Sequence, residues 1–501
     1  MNEALWYDGK ADAVMEVTPP ERETHALLRR ESRYLLTLSA ALGAAFSLCF
    51  VEFGGLGLNL VLWAAAWCGW AHLALKRLQL ASLRRDGRWY AGIWLLGLSV
   101  FWTANEFIQA VGILGIMILQ CLWALNVFAA VDSWDFGKAA WAVLRLPFRA
   151  LGRICEPFRH WAEARKIRNG RSRYVLAGLA IALPLGIVVT MLLASADAVF
   201  RELTRSMFTG WNVPEYLRIT FEALFAALAA GAGFYALLCA QTGRPEDDAR
   251  LGERKADTLM AVTFTAVLAV IYLVFCGIQV GVLFSGSGSL LPKGYTYAEY
   301  AREGFFQLLA VSGINVLLVI VSERRFVSGK ALRALLCVIS ACTYVMEVSS
   351  AWRMWMYVQV YGLTFLRLLV LWFLAVLGIV LAGAVITVFR PGFRLFRFTL
   401  AVCLSGWLVF AFARPDAIAA RYDLRRFGCS DTTLTLIRYE LSPDALGELR
   451  PHLNQEIRAI DKHMGGYLDE DIPARYAHAG IRGFNYSLWR ANQTSEEYRN
   501  G

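Results

Sequence analysis

Apolar residues along this chain form long blocks separated by short polar stretches. Blocks such as Tyr34–Val51, Val175–Ala194 and Leu363–Val388 have the length of a helix that spans the hydrocarbon core of a bilayer. They recur too often to be the buried helices of a soluble fold. The pattern predicts about eleven membrane-spanning helices, at 34–53, 56–75, 89–104, 107–130, 175–195, 219–240, 258–284, 298–321, 334–351, 363–388 and 398–413.

The predicted fold is all-α, a polytopic transmembrane bundle followed by a small, mostly helical extramembrane tail. The chain divides into a polar N-terminal segment, four spans, a basic segment, the core bundle and the tail, at 1–33, 34–130, 131–174, 175–413 and 414–501. In the tail, Ser442 precedes Pro443, which is a typical N-cap and first position of a helix. We therefore expect several short helices there, packed against the membrane domain.

Composition supports a membrane protein. The 501 residues are 57% hydrophobic and 18% charged, with a net charge of +10. Such a charge can indicate nucleic-acid binding, but the Lys and Arg concentrate in short loops between apolar blocks, as the positive-inside rule requires. We therefore expect no nucleic-acid partner. The basic loops after spans two, four, eight and ten fall on one face, which predicts a cytoplasmic N-terminus and an extracytoplasmic tail.

The basic segment has a second pattern, in which apolar and basic side chains occupy different faces of a helix. The apolar positions step by three or four residues: Trp141, Leu144, Phe148, Leu151, Cys155 and Phe158. The basic positions keep the same period: Arg145, Arg149 and Arg153. This predicts an amphipathic helix that contacts anionic lipids through residues 137–158, interrupted at Pro147 and Pro157. The alternative is a charged topology loop with no such role.

Charged residues inside predicted spans are costly, so each one is a candidate site residue. Glu299, Glu303 and Gln307 recur every fourth residue and share a helix face, and Asn315 follows near mid-span. The polar intramembrane cluster comprises Glu299, Arg302, Glu303, Gln307, Glu347, Arg353 and Arg367. Glu347 and Arg353 end span nine and Arg367 begins span ten. Because spans alternate in direction, the whole cluster should lie near one leaflet, together with Glu106, Asp197, Arg201 and Asp416.

Three interpretations of this cluster remain open. Its carboxylates can pair with its arginines and simply hold helices together, or the residues can line a solute path or a headgroup-binding cavity. Alternatively, Glu299 or Glu303 can act as a catalytic acid or base. No catalytic residue is assigned. The six His and ten Cys show no metal-ligand spacing, and we expect no metal or cofactor.

Several sequence blocks resemble an uncharacterised family of bacterial multipass membrane proteins, known only as a domain of unknown function. The most specific block is Gly294–Leu309, which reads GYTYAEYAREGFFQLL. Supporting segments are Ser195–Phe200, Arg353–Met354, Tyr361–Thr364 with Arg367, Pro415–Tyr422 and Leu441–Leu446. The resemblance implies a bacterial inner-membrane protein. It implies no activity or substrate.

The sequence supports three functional hypotheses and leaves open whether the protein is an enzyme. The first is transport, or lipid or solute handling, through a polar cavity near one leaflet. The second is a non-catalytic sensor or accessory subunit, because of the polar tail and the basic helix. The third is a membrane-embedded enzyme acting on a lipid headgroup. In each case the bilayer is the expected partner, and a protein partner is not identified.

Overall fold

The computed structural model describes residues 21–52, 54–80, 83–129, 136–164, 215–241, 258–284, 305–326, 329–390, 392–453 and 462–500, with isolated positions between 186 and 202. Within these ranges the regular elements are helices, and no strand occurs. Eight of the described helices are long and apolar enough to cross a membrane. The all-helical membrane fold is therefore confirmed, whereas the count of about eleven spans is not.

Three predicted spans account for the difference. Span five, at 175–195, lies almost entirely outside the described residues. Span three corresponds to helix Leu83–Trp102, whose first turns carry Arg84, Asp86 and Arg88. Span eight corresponds to helix Phe305–Arg325, in which only Gln307–Ser322 is continuously apolar.

The first bundle contains eight helices: α1 (Glu21–Arg30), α2 (Ser32–Phe50), α3 (Leu58–Arg77), α4 (Leu83–Trp102), α5 (Glu106–Ala129), α6 (Phe136–Leu151), α7 (Glu156–Ala164) and α8 (Glu215–Gln241). Its core holds Trp67 and Trp123 with ring centroids 4.9 Å apart. Helices α2 and α8 cross at two glycines, since a Cβ on Gly43 would lie 2.0 Å from the Ala227 carbonyl oxygen, and one on Gly231 2.9 Å from a backbone oxygen of α2.

The second bundle contains α9 (Thr258–Phe284), α10 (Phe305–Arg325), α11 (Lys330–Tyr361), α12 (Phe365–Phe389) and α13 (Leu395–Phe412). Helix α11 has 32 residues, so at 1.5 Å per residue it is about 48 Å long and exceeds the hydrocarbon thickness of about 30 Å. It ends at Gly362, whose φ of 79° suits glycine. Trp407 and Phe410 of α13 join the core of the first bundle.

The tail folds into short helices: α14 (Pro415–Phe427), α15 (Asp431–Tyr439), a 3₁₀ helix (Pro443–Glu448), α16 (Lys462–Gly466), α17 (Ile472–Ala479) and α18 (Tyr486–Asn500). We call residues 415–453 and 462–500 the cap. Ser442 caps the 3₁₀ helix by accepting the Asp444 amide at 3.4 Å. The cap has its own apolar core, which includes Leu434, Leu446 and Leu468.

The cap covers one end of the helices, which we call the cap face. The opposite end is the basic face, where Lys76 and Arg77 close α3 and Lys330 begins α11. Helices α6 and α7 lie at the basic face, because Arg153 donates to the carbonyl of Cys239 in the last turns of α8, at 2.7 Å.

The predicted interruption of the basic helix at Pro147 is wrong. Helix α6 continues through Pro147, because a proline removes one backbone hydrogen bond while packing of Ala142 and Leu146 on the core holds the helix. The break falls at 152–155, and Pro157 occupies the first turn of α7, where the missing N–H has no cost. The predicted apolar face is exposed, with Leu144 62% and Phe148 75% accessible.

Candidate functional site

Helix α11 buries a stripe of polar side chains on successive turns of one face. Ser340, Thr343, Glu347 and Ser350 are each at most 6% exposed and cover about 15 Å of the helix. The three hydroxyls donate to backbone carbonyls of the preceding turn, at 2.8 Å each. The helix therefore satisfies its own hydroxyls, and Glu347 is the member whose polar atoms must find partners elsewhere.

Glu347 lies in the middle of α11, although the sequence placed it at the end of a span. Trp352 and Arg353 suggested a membrane boundary, but α11 continues to Tyr361, since aromatic and long basic side chains are compatible with a helix that extends beyond the hydrocarbon. The Oε2 atom of Glu347 lies 3.0 Å from the position that a Cβ would occupy if Gly378 had one. Gly378 is in the middle of α12, so this carboxyl group lies near the middle of both helices.

The Glu347 side chain has no charged partner in the described part of the chain. It is 6% exposed, its Oε1 has no hydrogen-bond partner, and no ion pair involves it among the described residues. Arg353 is six positions further on, about 9 Å along the helix and about 120° around it. Among the arginines of the cluster, the described ones, Arg353 and Arg367, therefore do not pair with Glu347.

Two polar residues of α10 face the same part of α11. Asn315 and Ser312 are both fully buried, and the Asn315 amide donates to Thr343 Oγ1 at 2.9 Å. Because the Thr343 hydroxyl proton is used on Ile339, Asn315 must donate through Nδ2, which fixes the direction of its Oδ1. That Oδ1 and the Ser312 Oγ have no partner within the described residues.

The remaining members of the predicted cluster have separate positions. Arg353 donates to Gln279 Oε1 at 3.2 Å, and Ser349 donates to the same oxygen at 2.8 Å, which ties α11 to α9. Arg367, in the first turn of α12, donates to the Tyr361 carbonyl at 2.9 Å and to that of Gly362. It therefore closes the C-terminus of α11.

The first half of the cluster is largely outside the described structure. Glu299, Arg302 and Glu303 are not among the described residues, and Gln307 is exposed at the start of α10. An acid–base role for Glu299 or Glu303 therefore stays a prediction. In the described ranges no group of three His, Cys, Asp or Glu is arranged to hold a metal ion.

A second polar cluster joins the cap to the turn between α4 and α5. Asp444 is fully buried and accepts from Thr103 Oγ1 at 2.5 Å and from the Ala104 amide at 2.7 Å. Asp416, also fully buried, accepts from Asn105 Nδ2 at 2.7 Å and from Ser442 Oγ at 2.5 Å. Burial raises the pKa of Asp416 to about 6 against these donors. We call these five residues and Ala104 the cap junction.

Two further side chains hold the cap in place. Asn485 donates to the carbonyls of Val100 and Thr103 at 3.0 and 2.8 Å. The first of these lies in the last turn of α4, where carbonyls lack a partner within the helix. Arg482 donates to the carbonyls of Leu48 and Val51, both at 3.0 Å, and so performs the same task for α2.

Arg414 forms the hinge between α13 and the cap, with a left-handed φ of 56°. Such a conformation costs a residue with a side chain about 1–2 kcal/mol. Arg414 is only 8% exposed. Its guanidinium donates to the Asp444 carbonyl at 3.0 Å and to Ser487 Oγ at 3.1 Å. These bonds stabilise the strained hinge.

Sequence reasoning identified Asp416 and Ser442 but missed Thr103, Asp444 and Asn485. The predicted convergence of Glu106 and Asp416 on one face is confirmed, since Asp416 contacts the residue next to Glu106. Two segments that carried the family resemblance, Pro415–Tyr422 and Leu441–Leu446, meet at the cap junction. A buried role for Asp444 could have been suspected from that resemblance alone, because its neighbours give no other signal.

Comparisons with known proteins place the chain in a family without an assigned activity. No curated protein and no solved structure gives a significant match. A family model described as Domain of unknown function (DUF4153) matches residues 90–451, from within α4 to just beyond the 3₁₀ helix of the cap. Because the match covers most of the chain, the protein belongs to the DUF4153 family.

Proposed function

We propose that this protein moves a small cation, alone or together with a solute, across the membrane along a path that follows α11. The observation that carries the proposal is the buried carboxyl group of Glu347, near mid-membrane and without a charged partner among the described residues. A charged group costs several kcal/mol or more at the bilayer centre and is typically retained there for proton or ion movement.

The surroundings of Glu347 also favour transport. The stripe from Ser340 to Ser350 gives a continuous line of oxygen atoms toward the cap face, where Gln279, Ser349 and Arg353 form the next polar layer. Gly378 brings no side chain against the carboxylate.

We also propose that the protein resides in a bacterial inner membrane, as a multi-pass protein with a cytoplasmic N-terminus. The basic face, with Lys76, Arg77 and Lys330, would then be cytoplasmic according to the positive-inside rule. The cap would be extracytoplasmic.

The test is ion flux in liposomes that contain the purified full-length protein. Proton flux is followed with an internal pH-sensitive dye and Na⁺ flux with ²²Na⁺, for the wild type, Glu347→Gln and Glu440→Gln. Glu440 is exposed at the end of α15, so Glu440→Gln changes the same charge away from the path. We expect at least tenfold less flux in Glu347→Gln and wild-type flux in the control. Flux no greater than in empty liposomes, or equal flux in all three proteins, would refute the proposal.

A second candidate, a sensor or accessory subunit, is favoured by the cap, which folds around its own apolar core and is anchored to one end of the helices. Cross-linking in native membranes should then recover one defined protein partner through the cap. Flux by the purified protein alone would contradict this candidate.

A further inference from the structure

Three buried oxygen atoms on facing turns of α10 and α11 have no hydrogen-bond partner among the described residues. They are Ser312 Oγ and Asn315 Oδ1 of α10 and Glu347 Oε1 of α11. Buried polar atoms are rarely left unpaired, because each one costs about 1–3 kcal/mol. Three of them at one helix junction therefore indicate a ligand that they share.

The packing around them fixes the level of Ser312 and Glu347. On one side, Leu309, Ala351 and Leu374 form an apolar layer between α10, α11 and α12. On the other side, Val316, Tyr344 and Leu381 form the next such layer. Ser312 lies between Leu309 and Val316, and Glu347 lies between Tyr344 and Ala351. Both residues therefore occupy the polar layer between two apolar ones.

Asn315 flanks the polar layer, one turn from Ser312, on the side of α9. Its Nδ2 is held by Thr343 at 2.9 Å, and Thr343 lies one turn from Glu347 on the same face of α11. The Tyr272 hydroxyl of α9 also lies beside the Asn315 side chain. The amide is thus fixed with its oxygen available, and the layer offers one carboxylate and two neutral oxygens.

We propose that Glu347, Asn315 and Ser312 bind one dehydrated monovalent cation of the size of Na⁺. The negative charge of the Glu347 carboxylate calls for a ligand with a single positive charge. A neutral ligand would leave the carboxylate uncompensated, and a divalent ion would leave an excess positive charge in the hydrocarbon region. Oxygen atoms are the ligands that hard cations prefer. A proton on Glu347 would supply a single donor, whereas a cation can be shared by all three oxygens.

This assignment deepens the proposed transport function, because it names the ion and its site, but binding can be measured without transport. The experiment is thermal unfolding of the purified full-length protein in detergent at pH 8, in NaCl, KCl or choline chloride of equal ionic strength. We expect the melting temperature to rise with Na⁺ concentration for the wild type and to be independent of Na⁺ for Glu347→Gln. Ser312→Ala should need at least tenfold more Na⁺ for half-maximal stabilisation.

Ser99→Ala is the matched control, because Ser99 is a fully buried serine of α4, outside the stripe, whose hydroxyl is already bonded to the Leu96 carbonyl, at 2.7 Å. It should leave the Na⁺ dependence at the wild-type value. Equal melting temperatures of the wild type in Na⁺ and choline, or equal shifts for Ser312→Ala and Ser99→Ala, would overturn the site. Proton flux without stabilisation by Na⁺ would refute the Na⁺ site and leave the transport proposal standing. Stabilisation by Na⁺ without any flux would support the Na⁺ site and refute the transport proposal.

Discussion

Replacement of Asp444 by alanine should release the cap from the membrane bundle. Asp444 is fully buried, and its carboxylate accepts from Thr103 and Ala104. Hydrogen bonds to a charged group contribute about 1.5–3 kcal/mol each, and their loss leaves two buried donors unsatisfied. We therefore expect docking to weaken by about 3–5 kcal/mol, which is roughly a 10²- to 10⁴-fold increase in the open population.

Hydrogen exchange measured by mass spectrometry on the full-length protein in nanodiscs can detect this opening. The informative peptides cover the amides of Leu58 and Asn59, which donate to Phe484 and Arg482 of the cap at 2.9 and 2.8 Å. Protection of these amides reports the free energy of local opening. Asp444→Ala should shorten their exchange times by at least a hundredfold.

Asp431→Ala is the control for the same chemical change in the cap. Asp431 is exposed in the first turn of α15, where a carboxylate contributes about 0.3–1 kcal/mol through the helix dipole. If the amides of Leu58 and Asn59 exchange as slowly in Asp444→Ala as in Asp431→Ala, or less than tenfold faster than in the wild type, the cap junction does not hold the cap.

Three further predictions concern other parts of the molecule. Asp416→Asn should flatten the pH dependence of thermal stability between pH 4 and 6. Burial raises the pKa of Asp416 from 3.8 to about 6, so the protonated side chain stabilises the fold fully below pH 4. This contribution, at most about 3 kcal/mol, is lost as the pH rises to 6. Unchanged pH dependence in this variant would refute the role of Asp416. Gly378→Ala should raise the Na⁺ concentration for half-maximal stabilisation at least tenfold, since the new Cβ would lie 3.0 Å from Glu347 Oε2. A wild-type Na⁺ dependence in this variant would place the ion elsewhere. Arg145→Gln with Arg149→Gln should lower co-purified anionic lipid, measured by mass spectrometry, because each basic side chain near the surface contributes about 1 kcal/mol; an unchanged lipid content would favour the plain topology loop.

The membrane-spanning helices were predictable because a block of apolar residues of this length is stable only in a bilayer. Their ends were less predictable, as α11 illustrates. The apolar block near Ala351 ends ten residues before the helix does, because the polar side chains that α11 buries lower the local hydropathy without ending the helix. Glu347 was therefore recognised as a costly charge but assigned to a membrane surface rather than to its centre.

The cap junction could not be predicted, since it depends on contacts between distant parts of the chain. Asn105 and Asp416 are 311 residues apart, and Thr103 and Asp444 are 341 apart. In the sequence, Asp444 follows Pro443 and is indistinguishable from a solvent-exposed residue at the start of a helix. Its burial arises only when the α4–α5 turn presents Thr103 and an unpaired amide to it.

The contacts of Arg482 also have a consequence for the timing of assembly during synthesis. This side chain closes the end of α2 by binding the Leu48 carbonyl, 434 residues earlier in the chain. At about 5–20 residues per second, roughly 20–90 s pass between the synthesis of these two residues. During this interval the first hairpin stands in the bilayer with open carbonyl groups at its turn. The nascent protein thus has a period in which a chaperone or a quality-control protease can recognise a turn that the finished molecule conceals.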